Sequence, residues 1–303
     1  MTALLLGALG LTLSLVVPGP LARARWTARA PGAAVALWQA VTLAAVLCAL
    51  GVVLAAPEEL VRAHGADQTL AAAALVAALA VAAVIVVRLL VSLWQVAYRS
   101  RVRRARHRLL ADLLDRAEER ADLDGQVRVL DGGLPFAYCV PGRSPRIVLS
   151  QGTLRLLSEP QVAAVLAHER AHLRARHDVV MESFTAFYRA VPPPLRSRAP
   201  LDAVHLLLEA LADDAARRQH GDGPVREALR TLADAPGTTG IEAGTEDPDR
   251  ERRWRLDRLV PGAPRTDARL GAAVYVVAAA ILVLPTVLLV IPWLDRALRH
   301  WPI

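Results

Sequence analysis

His168, Glu169 and His172 form a His-Glu-x-x-His pattern, the spacing that holds a zinc ion and sets a base beside it. Residues four apart share one face of an α-helix, so both imidazoles can reach a single metal. A carboxylate directly after the first histidine falls next to that metal, where it can take a proton from water. Zinc-assisted hydrolysis is the chemistry the trio implies, with His168 and His172 as ligands and Glu169 as general base.

A catalytic zinc takes three protein ligands and leaves one position for water, so two histidines are one short. A histidine six residues beyond His172, after a glycine turn, is excluded because position 178 is Asp and Leu173–His177 contains no Gly. On a continuous helix His177 points roughly 140° away from His172, which predicts a helix-end or surface residue. A carboxylate on a later helix fits better. Glu209 sits among Leu206, Leu207, Leu208 and Leu211, where a charge is costly unless paired or metal-bound. Asp213, one turn on, shares its face and can accept a hydrogen bond from a liganding imidazole, fixing its tautomer. Asp214 and Arg217 read as solvent-facing.

These side chains need helices to carry them. Ser158-Glu159-Pro160-Gln161 has the form of a capping box with an early proline, and predicts a helix from about Glu159 to Arg176. Asp178–Val191 is a further apolar helical run, closed by Pro192-Pro193-Pro194, and a helix from about Leu201 to Gln219 follows, stopped near Gly221. Upstream, Gln126–Leu130, Phe136–Val140 and Arg146–Leu149 are short β-prone runs, predicting a small antiparallel sheet. Gln151–Leu157 reads as a short helix, residues 99–122 as an amphipathic helix continuing from the span before it, and Thr238–Asp249 as a loop.

The composition places this machinery in a membrane. A hydrophobic share of 54% and a mean hydropathy of +0.33 exceed what an ordinary soluble domain carries. Leu4–Val17, Ala33–Ala56, Thr69–Val87 extended to Trp94, and Gly271–Leu294 are candidates for spans, each needing about 20 apolar residues. The first stretch has no positive charge before it and no small-residue cleavage site after it, so it reads as retained. The expected division is therefore 1–97 with three spans (about 1–18, 33–56 and 69–94), a catalytic region 98–270, and a fourth span with a short tail, 271–303.

Arg23, Arg25 and Arg29 mark the first loop, and six arginines crowd into residues 99–108. The positive-inside rule then puts the catalytic region in the cytoplasm. These charges lie beside lipid headgroups, so the basic balance indicates attraction to a membrane surface and not nucleic-acid binding. Arg88 falls where a span ending at Val87 would let it snorkel. Cys48 and Cys139 lie in different regions and read as small buried hydrophobes. No acid sits within the spans, which disfavours a transporter.

The combination of His168-Glu169-x-x-His172 with Glu209-x-x-x-Asp213, after three spans and before a fourth, resembles the BlaR/MecR-type membrane metallopeptidases, of the gluzincin kind. HtpX-type and CAAX-prenyl-protease-type membrane proteases are wider relatives. Ala137-x-x-Val140-Pro141-Gly142, Arg146-Ile-Val-Leu-Ser150 and Leu166-Ala-His-Glu-Arg-Ala-His-Leu173 are similar to that family as well. The resemblance implies four transmembrane helices with a cytoplasmic α+β gluzincin domain, Zn2+, and peptide hydrolysis with Glu169 as base. It also implies a protein substrate such as a penicillinase-repressor-type transcription factor, bound extended along Arg146–Ser150, with membrane protein quality control as the alternative. His205 and Tyr188 are both candidates for stabilising the oxyanion. The antibiotic-sensing members continue into a penicillin-binding domain, whereas this chain ends nine residues after Leu294, so β-lactam sensing is not expected. The competing class is a non-enzymatic membrane scaffold or receptor with a protease-like fold. Oligomeric state leaves no trace in the sequence.

Overall fold

The computed structural model describes residues 2–62, 66–113, 126–235, 247–260, 262 and 266–299. Parts of the expected 99–122 helix and 238–249 loop therefore lie outside the described residues. In chain order the helices and strands are α1 (Thr2–Leu11), α2 (Pro18–Ala22), α3 (Pro31–Arg62), α4 (Ala66–Leu113), β1 (Val127–Leu130), β2 (Ala137–Val140) and β3 (Arg146–Ser150). Then follow α5 (Gln151–Leu156), α6 (Glu159–Ala175), α7 (His177–Ala190), α8 (Ala199–His220), α9 (Asp222–Asp234), α10 (Pro248–Arg258) and α11 (Ala268–Arg299). They form two units, one of Met1–Ser92, Arg189–Pro200 and Thr266–Ile303, the other of Leu93–Tyr188 and Leu201–Arg265.

The first unit is mainly helical and largely apolar. Thr2–Ala22, Pro31–Ala55, Leu79–Arg106 and Ala268–Ile291 are long and apolar enough to cross a bilayer, which makes this a multi-pass membrane protein. The short first stretch gains its length from the residues after Val17. α3 packs against α1 and α11, and small residues let the backbones approach: a Cβ added at Gly10 would stand 3.0 Å from that of Cys48. Outward faces are apolar too, with Leu4 74% and Val276 69% exposed, surfaces that lipid solvates and water would not. Arg88 does not end its helix. Its Nε donates to the carbonyl of Ala190 at 2.7 Å, satisfying an orphan acceptor at the end of α7.

The second unit centres on a three-stranded sheet of order β1-β3-β2. The sheet is mixed: β2 pairs antiparallel with β3, but β1 pairs with β3 in parallel, a correction to the all-antiparallel expectation. The cause is visible in β3. Ile147, Val148 and Leu149 are all 0% exposed, a continuous apolar run that is stable only in the centre, covered on both faces. Asp131-Gly132-Gly133 therefore carries the chain past that central slot before β2 begins. Helix α6 packs on β2 and β3, joined by Leu157, Val165 and Leu166 in the main core cluster.

Candidate metal centre

α6 starts where the capping residues place it, with the Ser158 N–H donating to Gln161 Oε1 at 2.8 Å. Its face presents His168 and His172, whose Nε2 atoms lie 3.1 Å apart. Glu209 comes from α8: its Oε2 is 3.4 Å from His168 Nε2 and its Oε1 is 3.3 Å from His172 Nε2. Three donors thus face one point. A tetrahedral zinc with ligand bonds of about 2.0–2.1 Å sets its vertices roughly 3.3 Å apart, and with one ligand atom taken from each residue the three lie within 4.8 Å of one another, so the donor set suits one ion.

Each histidine is oriented from behind. Asp213 Oδ1 lies 3.0 Å from His168 Nδ1, which leaves Nε2 to face the ligand point. His172 Nδ1 lies 2.9 Å from His177 Nδ1. His177 does stand at a helix end, as the first residue of α7, but the surface alternative is corrected, since it is only 5% exposed. α6 ends at Arg176, which adopts a left-handed conformation (φ 51°), so the chain turns and His177 begins α7 facing back. The angular argument from a continuous helix fails at this single residue.

Charge is concentrated here. Arg255 of α10 grips Asp213 with two prongs, 2.9 and 2.8 Å, and its Nη1 meets Glu209 Oε2 at 2.9 Å. Burial opposes the charged form of Glu209, but Arg255 and the histidines hold its carboxyl well below the usual range. Asp213 is lowered in the same way. The two imidazoles are pushed in opposite directions. Burial alone would lower both, yet the hydrogen bonds to Asp213 and Glu209 raise His168 to about 10, whereas burial drives His172 down to about 3. The carboxylate behind His168 makes the difference.

Glu169 is 8% exposed, and burial raises its pKa above the ordinary carboxylate value. The Cys139 thiol hydrogen-bonds to it, so this cysteine is part of the site and not inert filling. A cleft of about 220 Å³ opens beside these groups, lined by Cys139, Pro141, His172, Leu173, His177, Asp178, Met181, His205, Leu208 and Glu209. His205 therefore faces the cleft and pairs with Glu251 Oε2 at 3.6 Å, while Tyr188 near the end of α7 is not among the lining residues. Asp214, expected in solvent, is 2% exposed and paired with Arg217 and Arg258. Arg255, Glu251 and Arg258 lie in the Arg-rich run 250–258, where sequence alone shows no reason to prefer one arginine over another.

Residues 100–192 match Peptidase family M48. The matched stretch contains His168, Glu169, His172 and Cys139, and stops before Glu209, Asp213 and Arg255. No curated protein matches the chain, and no solved structure does. Family M48 comprises zinc metallopeptidases, so the match and the three facing donors agree on the cation. With the four apolar helices, they support a membrane metallopeptidase acting on a protein or peptide.

Proposed function

We propose that this protein is an integral membrane zinc endopeptidase whose site faces the cytoplasm and cleaves a regulatory cytoplasmic protein. The observation that carries the reading is the convergence of His168, His172 and Glu209 from two helices at 3.1–3.4 Å. Those three would hold Zn2+, with Asp213 and His177 orienting the imidazoles. Bound there, the ion would acidify water and polarise the scissile carbonyl. Glu169 takes the water proton and passes it to the leaving amine, and its raised pKa suits a group that must both accept and donate near neutral pH. His205, exposed to the cleft, is the better placed of the two oxyanion candidates.

Substrate would bind along β2. The central position of β3 rules out the Arg146–Ser150 edge, because both of its sides are already paired. β2 is terminal in the sheet order among the described residues, and it carries Cys139 and leads to Pro141 at the cleft, so an extended peptide can add there as a further strand. Cytoplasmic placement is supported by Arg23, Arg25, Arg29 and the arginines of 99–108. The motif resemblance favours a BlaR/MecR-type role with a repressor-type transcription factor as substrate. Cleavage of membrane proteins in the HtpX manner is the second reading, favoured by the apolar cleft residues Pro141, Leu173, Met181 and Leu208. Comparing proteomes of cells carrying the wild-type chain or Glu169→Gln separates them: one accumulating soluble regulator supports the first, many accumulating membrane proteins the second, and no difference refutes both.

A further inference from the structure

Helix α10 (Pro248–Arg258) has no fully buried residue; Leu259 at its C-terminal cap enters the apolar core, and along the helix itself charge makes the contacts. Arg258 pairs with Asp214 at 3.1 Å, and Arg252 reaches Asp234 and Asp249. Arg255 is as deep as Arg258, each with its side chain 14% exposed. Its Nε and Nη2 hold Asp213 while Nη1 holds Glu209. One guanidinium therefore bridges both carboxylates that face the histidine pair.

The two oxygens of Glu209 are not equivalent. Each lies near one histidine, Oε1 at 3.3 Å and Oε2 at 3.4 Å, but Oε2 also accepts from Arg255 at 2.9 Å. A carboxylate can grip a metal with one oxygen or both. Gripping zinc with both would take up the position that a catalytic site reserves for water.

We propose that Arg255 is a positioning residue that claims Oε2, restricts Glu209 to ligation through Oε1, and so keeps one zinc position free for water. A guanidinium suits the task, being a rigid fork that can serve two carboxylates at once, which a lysine ammonium cannot do with the same geometry. The proposal rests on the metallopeptidase reading above. It carries an unusual sign. A cation this close to the site repels the metal, so removing it should not weaken zinc binding, although it removes a buried ion-pair partner.

The test uses the full chain in detergent, as wild type, Arg255→Ala, Arg255→Met and Arg255→Lys, loaded with cobalt(II) in place of zinc. Visible absorption per bound cobalt reports coordination number, and competition with a chromophoric chelator reports zinc affinity. We expect intense four-coordinate bands from wild type and a several-fold weaker, blue-shifted spectrum from Arg255→Ala, with zinc affinity equal to wild type or higher. Arg255→Met keeps the side-chain volume and should behave like Arg255→Ala, whereas Arg255→Lys keeps a cation at Oε2 and should recover most of the intensity. Wild-type spectra from the Ala and Met variants overturn the proposal. So does a folded variant that loses zinc affinity tenfold or more, or failure of both variants to fold, since either makes Arg255 a structural support. A wild-type chain that takes up neither metal overturns the metallopeptidase reading itself.

Discussion

The membrane unit and the metal-bearing unit are held together by opposite means. In the first, Leu6, Ala34, Ala44 and Cys48 are fully buried between helices close enough that a Cβ at Gly10 would stand 3.0 Å from that of Cys48. In the second, the centre is built from charge, with Glu209, Asp213 and Arg255 interlocked at 2.8–2.9 Å beside two imidazoles. The difference separates what each part can tolerate. Apolar contacts are numerous and individually replaceable, whereas removing one member of an interlocked polar set leaves its neighbours buried without partners. Effects of mutation should therefore be graded in the first unit and steep in the second.

The steepest expected effect is on chemistry. Glu169→Gln should lower peptide hydrolysis by about 10²–10⁴-fold with zinc content unchanged, read by turnover of a fluorogenic peptide beside metal analysis; retained turnover would remove Glu169 from the base role. Next is Asp213→Asn, which should cost roughly 10–100-fold in zinc affinity, measured by chelator competition.

The same contact predicts a pH signature. In the metal-free protein His168 is raised to about 10, so it carries a proton at neutral pH that zinc must expel. Zinc uptake at pH 7–8 should therefore release a proton, detected by calorimetry in buffers of different ionisation enthalpy, and apparent affinity should rise with pH up to about 10. Because the folded value lies above the ordinary one, the metal-free protein gains stability from this group below about pH 6.5 and loses it as pH climbs towards 10. Absence of proton release in wild type would contradict the Asp213 contact. His177→Ala comes lower, at about tenfold in zinc affinity, since His172 loses its partner but keeps its face of α6.

Smallest in its effect on the site, and the test of the contrast, is Gly10→Leu in the membrane unit. It should destabilise the membrane unit by about 1–3 kcal/mol through overpacking, seen as a lower thermal midpoint, with zinc affinity unchanged. Parallel loss of zinc would show that the two units are not held independently.

What the sequence disclosed follows the same division. Spans and zinc-facing helices announce themselves through composition and regular spacing, so His168, His172, Glu209 and Asp213 could be singled out before any coordinates, and the structure brings them together. His177 could not, because its placement depends on Arg176 entering a left-handed conformation that glycine would have signalled and arginine does not. Arg255 could not either, since one arginine among several in an exposed, charged helix acquires meaning only through what it packs against. Strand pairing was hidden for a related reason. Three short β-prone runs give the strands, but only the double-sided burial of Ile147–Leu149 decides which is central.

The central claim, that α6 and α8 jointly hold one zinc ion, is tested most directly by metal analysis of the purified full chain beside Glu209→Ala. The account predicts one zinc per wild-type chain and loss of tight binding in the variant, with helical content retained. Wild-type zinc content that survives in folded Glu209→Ala would contradict it.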